Sequence, residues 1–187
     1  MKEVFVHERK LDKLESIERG EYEKCVFSQC NFANKDFSYS KFIDCVFQDC
    51  NLSLTKLNNT SFYNVVFKEC KMLGLKFDDC KEFGLICSFE NCVLNHSSFY
   101  QTILKKTHFK DCQMHEIDFV QTDLSQAKFE HCDLMQSVFE KTILEKTDFT
   151  TAYHYNIDPE KNRIKKASFS LSEIYGLLYK YDIEILK

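Results

Sequence analysis

The sequence predicts an all-β solenoid, a chain wound into a coil that turns a corner every five residues. Large apolar residues recur at every fifth position from Tyr22 to Phe77 and again from Phe89 to Phe149. All 25 of these centre positions hold Phe, Leu, Met or Tyr, although only 44% of the chain is hydrophobic. A period of five fits neither the 3.6-residue period of a helix nor the two-residue period of a strand.

The composition supports one regular repeat rather than an irregular fold. The chain has 187 residues, enough for one domain with a sizeable core, but only 4 Gly and 1 Pro to turn irregular loops. A net charge of −4 argues against electrostatic binding of nucleic acid. No apolar run is long enough to span a bilayer, and the N-terminus does not read as a signal peptide, so we expect no membrane partner.

A second regularity lies two residues before each centre, where 21 of the 25 positions hold Cys, Ser, Thr, Ala or Gly. We therefore predict that a large and a small side chain alternate inside the coil. The centre positions expected in the core include Phe27, Phe32, Phe47, Phe67, Phe77, Phe89, Phe109, Phe129 and Phe149. The small inward positions include Cys25, Cys30, Cys45, Cys50, Cys70, Cys92, Cys112 and Cys132.

Four sides of five residues would close a coil of about twenty residues, although the period alone does not fix the number of sides. The recurring unit resembles that of the pentapeptide-repeat family, from Gly20 to about Thr151. This resemblance implies a right-handed quadrilateral β-helix, whose coils stack by parallel β-type hydrogen bonds about 4.8 Å apart.

The ten cysteines are interpreted as reduced, buried thiols. Nine precede a centre position by two residues, and Cys80 fits the same series. The five-residue repeat by itself accounts for their C-x₄-C spacings, which therefore do not point to a zinc site, and a disulfide framework is typical of short secreted chains. We therefore predict no metal, no cofactor and a cytoplasmic location.

The chain is divided into three parts. Residues 1–19 are predicted to form an N-terminal cap, a strand or coil followed by a short helix or turn. Residues 20–152 form the β-helix, with a register break near 78–88 where two extra residues are interpreted as a kink rather than a projecting loop. Residues 153–187 hold a last partial coil, a capping helix that also serves dimerisation, and a terminal strand.

The C-terminal helix is predicted from a capping box at residues 170–173 and an apolar stripe. The residues of this stripe are Leu171, Ile174, Leu177, Leu178 and Tyr181. Residues 171–186 resemble the C-terminal helix of Qnr-type pentapeptide-repeat proteins. That resemblance implies a homodimer, a rod that resembles B-DNA, and binding to DNA gyrase or topoisomerase IV.

No catalytic residue is predicted, because the sequence holds no phosphate-binding loop, dinucleotide turn or Ser/His/Asp set. The six histidines fall at different positions of the repeat and are expected to scatter over the outside. Large side chains are expected to fill the interior and leave no pocket.

Three functions are compatible with this reading. The first is a DNA-mimicking modulator of type II topoisomerases, which does not itself contact nucleic acid. The alternative is a general protein-interaction scaffold with an unknown partner, and a third is an accessory or self-resistance factor. A continuous acidic stripe would favour mimicry, whereas a patchwork of charges would favour the scaffold.

Overall fold

The chain winds into a four-sided parallel β-solenoid of about eight turns. The computed structural model describes residues 3–81 and 84–184. In most coils, residues twenty apart lie side by side on neighbouring parallel strands, as Phe27 and Phe47 do. The strands are β1 (Val4–His7), β2 (Lys10–Asp12), β3 (Gly20–Glu23), β4 (Val26–Ser28), β5 (Lys41–Ile43), β6 (Val46–Gln48), β7 (Ser61–Lys68), β8 (Leu85–Glu90), β9 (His108–Lys110), β10 (Lys128–Glu130), β11 (Asp148–Phe149) and β12 (Ser168–Phe169), and one helix, α1 (Tyr175–Leu178), follows them.

We number the four sides of the solenoid by the centre residue in the middle of each. Tyr22 lies on side 1, Phe27 on side 2, Phe32 on side 3 and Phe37 on side 4, and the same order repeats in the later coils. Strands supply the pairing on side 2 and on the N-terminal half of side 1, whereas isolated parallel bridges join successive coils on sides 3 and 4 and on the C-terminal half of side 1. The prediction of a four-sided β-helix is confirmed.

The interior is filled by the centre residues. All 25 centre positions are buried, and the most exposed of them, Phe139, has 5% of its surface accessible. On side 2 the centres form a continuous stack of phenylalanine rings, with neighbouring centroids 4.5 to 5.3 Å apart. This spacing suits close ring packing and leaves no room for a channel. The stacked residues are Phe27, Phe47, Phe67, Phe89, Phe109, Phe129, Phe149 and Phe169.

The small residues do more than fill space, because their side chains hydrogen-bond to the preceding coil. Ser137 Oγ donates to the carbonyl oxygen of Met114 at 2.6 Å and accepts from the backbone N–H of Ile117 at 3.1 Å. Asn162 makes the same two contacts, with the carbonyl of Phe139 and the N–H of Thr142. These bridges pair backbone groups that would otherwise be buried without a partner.

Cysteine takes the same role with a weaker donor. Cys45 Sγ lies 3.2 Å from the carbonyl oxygen of Tyr22, and Cys70 Sγ lies 3.4 Å from that of Phe47. The thiol is therefore placed like the hydroxyls of the threonines in other coils. Size and hydrogen bonding together account for Cys, Ser and Thr at this position of the repeat.

Most corners of the coil are made by a residue with positive φ, two residues after a centre position. In the described part of the chain, 27 residues other than glycine have a positive φ, and Gly74 is the one glycine that does. None of the 27 is Val, Ile or Thr, because a branched Cβ is strongly disfavoured in the left-handed region.

Of the short helix or turn expected near the N-terminus, no helix is formed in residues 3–19. This segment is instead the first coil, shortened to sixteen residues, with Val4 beside Gly20 and Lys10 beside Val26. Leu11 lies beside Phe27 and takes a centre position. The helix-like spacing of the apolar residues here reflects the shorter sides of this coil.

The register break is absorbed within the coil. A 3₁₀ turn at Phe77–Asp79 precedes it, and Leu85 lies beside Phe62 as the replacement centre residue. A bulge between Tyr63 and Val65 restores the pairing, after which partners are 22 residues apart. Glu82 and Phe83 lie outside the described residues.

The C-terminal helix is much shorter than predicted. It spans Tyr175–Leu178 and continues as a 3₁₀ turn over Tyr179–Tyr181, and Ile174 rather than Ser170 precedes its first turn. The capping box does not form, since Ser170 Oγ contacts Ser172 Oγ. The expected strand is absent from residues 181–184, and residues 185–187 lie outside the described part.

The short helix nevertheless covers the last coil. The carbonyl oxygen of Gly176 accepts a hydrogen bond from the N–H of Ile157 at 2.9 Å. A Cβ at position 176 would lie 2.2 Å from the carbonyl oxygen of Tyr155, so this close approach requires glycine. Lys180 Nζ adds ion pairs with Asp158 at 2.8 Å and with Glu160 at 2.7 Å.

Candidate functional site

The cysteines form an interior ladder without an evident chemical role. All ten are free, and those at the small inward positions have at most 8% of their surface exposed. Burial raises the pKa of the Cys45 thiol to about 11, which keeps it protonated and a poor nucleophile. Six of the thiols lie on side 3, one in each successive coil, because the two-residue register shift keeps the cysteines of both halves in one column. These are Cys30, Cys50, Cys70, Cys92, Cys112 and Cys132.

The histidines lie outside and are paired with carboxylates. His115 Nε2 and His154 Nδ1 both contact the carboxylate of Asp133, each at 2.9 Å. Burial alone would raise the pKa of Asp133, but hydrogen bonds to the two imidazoles bring it below its usual value. Across residues 3–81 and 84–184, no group of three or more His, Cys, Asp or Glu is arranged to hold a metal ion.

The outer charges form a patchwork rather than an acidic stripe. Along side 2, Glu90 pairs with Lys68 at 3.3 Å and with Lys110 at 3.8 Å. Glu130 lies in the same column but pairs with Lys128 at 2.6 Å instead of with Lys110. A DNA mimic was expected to show a continuous acidic stripe, so this patchwork favours a scaffold.

One part of the surface departs from this balance and was not recognised from the sequence. The C-terminal half of side 1, made by residues 101–106, 121–126, 141–146 and 161–166, holds eight Lys or Arg and two Asp or Glu. We call this surface the basic side. Its net charge of +6 contrasts with −4 for the whole chain, so the remaining residues carry −10. Aligning the sequence in steps of twenty would have revealed it, since the lysines recur at that spacing.

The C-terminal end exposes apolar residues. Leu171 has 87% of its surface exposed, Tyr179 58% and Tyr181 52%. Leu177 packs against the core, while Ile174 and Leu178 are half-buried. The predicted stripe is thus divided between covering the last coil and facing solvent.

A cleft of about 370 Å³ lies where side 4 meets side 1, close to the register break. It is lined in part by Phe77, Cys80, Tyr100 and Ile103, and Cys80 is half-buried there. Burial raises the pKa of Cys80 well above its usual value, which disfavours the reactive thiolate. No helix in the described residues is long and apolar enough to cross a membrane.

The chain belongs to the pentapeptide-repeat family, whose profile, described as a pentapeptide repeat region, matches residues 21–82 and 86–174. No curated protein sequence matches it.

Solved structures share the fold at low sequence identity. A trypsin-treated variant of QnrB1, a plasmid-mediated fluoroquinolone resistance protein, is 17% identical with a TM-score of 0.50, and the match covers 99% of this chain and 98% of that one. HetL, a pentapeptide-repeat protein involved in heterocyst differentiation regulation from the cyanobacterium Nostoc sp. strain PCC 7120, is 11% identical over 89% of this chain and 85% of its own, with a TM-score of 0.42. At these identities the likeness to QnrB1 concerns the fold alone.

Proposed function

We propose that this protein is a non-enzymatic scaffold that binds a protein partner with an outer side of the solenoid. The observation that carries this proposal is the filled interior, in which stacked rings and hydrogen-bonded small residues occupy every coil. Groups with catalytic potential are either buried thiols or exposed histidines already paired with carboxylates. A rigid four-sided rod instead offers a long surface on which side chains are held in register.

The scaffold is tested by affinity capture from lysate of the source cells, using the wild-type chain and four variants. Each variant carries two charge reversals on a different side, and circular dichroism confirms its fold. We expect one partner to be retained by three variants and lost by one. Capture of nothing beyond a tag-only control, or equal loss in all four variants, would contradict the proposal.

A second candidate function is modulation of DNA gyrase or topoisomerase IV with an effect on quinolone sensitivity. It is supported by the repeat and by the likeness to a QnrB1 structure over nearly the whole of both chains. A supercoiling assay with and without quinolone, titrated with this protein, tests it. Supercoiling that recovers in the presence of drug is expected, and neither inhibition nor rescue at micromolar protein would refute it.

We also propose that two copies associate through the C-terminal end, where Leu171 and the neighbouring tyrosines are exposed. Leu171→Glu should shift the dimer to monomer in light scattering, because it places a charge in the apolar contact. Leu54→Glu is the matched control, since Leu54 is also exposed but lies on side 3. A wild-type chain that stays monomeric at high concentration would exclude the dimer.

The location that fits ten free thiols is the cytoplasm, which keeps cysteines reduced. Imaging a tagged full-length chain tests this placement, and recovery from an oxidising compartment would contradict it.

A further inference from the structure

We propose that the basic side is a docking surface for an extended acidic segment of a protein partner. This inference rests on the proposed scaffold function and names the chemistry of the partner. It starts from the segregation of charge, since the basic side carries +6 in a chain of net charge −4.

Both acidic residues of the basic side are already neutralised within it. Asp123 pairs with Lys105 at 3.2 Å, and Glu145 pairs with Arg163 at 2.7 Å. The other six cations are exposed, and none has a carboxylate within 4.0 Å among the described residues. They are Lys106, Lys141, Lys146, Lys161, Lys165 and Lys166.

The backbone holds these lysines in two columns along the rod. Lys141 N–H donates to the carbonyl oxygen of Lys161, which places one above the other at the corner between sides 4 and 1. Lys146 N–H bonds to the carbonyl oxygen of Lys165, which places Lys166 above Lys146 at the opposite corner. Since the coils are fixed by sheet hydrogen bonds, the charges are pre-organised rather than gathered on binding.

Between the two columns the surface is partly apolar. Ile103 has 42% of its surface exposed, and Ile143 lies in register with it two coils further on, half-buried. A segment that carries carboxylates with an occasional apolar residue would match both the lysine columns and these isoleucines.

The size of the basic side favours a short segment over a long polyanion. Its four coils span about 14 Å, the length of four to five residues in an extended strand. The flanking sides carry acidic residues, with Glu140 on side 4 and Asp148 on side 2. A nucleic-acid duplex or an anionic membrane surface would extend over these carboxylates and be repelled.

The test is fluorescence anisotropy of a labelled octaglutamate peptide titrated with the full chain. We expect binding that weakens with added salt and falls about tenfold or more in the double variant K146E/K166E, because two attractive charges become repulsive. The matched control is K56E/K76E, which changes the net charge equally at exposed lysines of side 4. This control should bind the peptide like the wild type, and circular dichroism verifies the fold of both.

Three outcomes would overturn the inference. The first is no binding of octaglutamate by the wild type, and the second is an equal change in the two double variants. The third is tighter binding of a 20-base-pair duplex or of phosphatidylserine vesicles, lost in K146E/K166E, which would assign the side to another occupant.

Failure of the docking proposal can be distinguished from failure of the scaffold proposal. A captured partner lost through variants of side 2, 3 or 4 would refute this docking surface and leave the scaffold intact.

Discussion

The bridging role of the small residues makes a quantitative prediction at Ser137. Its hydroxyl joins the carbonyl oxygen of Met114 and the N–H of Ile117, at 2.6 and 3.1 Å, in a site where Ser137 is 4% exposed. Ser137→Ala leaves both backbone groups buried without a partner. At about 1–3 kcal/mol for each of the two unsatisfied groups, we expect a loss of about 2–6 kcal/mol in the free energy of unfolding.

Two further variants separate the hydrogen bonds from the loss of volume. Ser137→Cys keeps a small side chain with a weak donor, as at Cys132 in the same coil, and should recover most of the loss. Ser88→Ala makes the same chemical change at an outward position whose hydroxyl has no hydrogen-bond partner among the described residues, and should cost under about 0.5 kcal/mol.

The assay is urea denaturation followed by circular dichroism, with the slope of the transition compared among variants so that a change in cooperativity is not taken for a change in stability. The reasoning is refuted if Ser137→Ala is no more destabilising than Ser88→Ala.

Three further predictions use the same assay or its pH dependence. Gln126→Val should destabilise by about 1–2 kcal/mol and Gln126→Asn should not, since position 126 has a φ of 61°; equal stabilities would contradict this. Phe109→Ala should cost about 3–5 kcal/mol and Phe109→Leu less, because the ring stacks on both neighbours and is fully buried; a cost under about 1 kcal/mol for Ala would be inconsistent with the stack. Because the pKa of Asp133 is lowered, its ionised form adds stability above the unfolded pKa of about 3.9, and this is lost as pH falls through the folded value. Asp133→Asn should therefore be less stable than wild type at pH 6 and approach it in acid, and a difference that grows below pH 4 would reverse the sign.

The regular part of the fold was predictable because it is specified locally and repeatedly. Each unit carries a large inward residue and a small neighbour. Because the unit recurs many times, one unit that departs from the pattern does not obscure the period. The interior hydrogen bonds were not foreseen, because the sequence shows that Ser, Thr and Cys are small but not which carbonyl oxygen each one faces.

The two ends were predicted less well because the sequence pattern at each end occurs only once and is not repeated along the chain. The apolar residues from Ser170 onwards do have helical spacing, but the tight contact of Gly176 with Tyr155 and the ion pairs of Lys180 fix the chain as one helical turn followed by a 3₁₀ turn. Near the N-terminus, a coil shortened to sixteen residues imitates helical spacing. In both places tertiary contacts override the local pattern.

The basic side was missed for a different reason. The net charge of the whole chain is a sum over the four sides, and it therefore hides an excess of lysine on one of them. The segregation becomes visible only when the chain is folded into columns, because Lys146 and Lys166 are distant in sequence and neighbours in space.

The closed interior is the central claim, since it is what confines function to the outer sides. Titration of the native chain with a thiol-reactive disulfide reagent, followed by titration in 6 M guanidinium, tests it most directly. We predict ten reactive thiols in denaturant and at most one, Cys80, reacting slowly in the native state. Rapid reaction of several native thiols, or fewer than ten in the denatured chain under reducing preparation, would contradict the account.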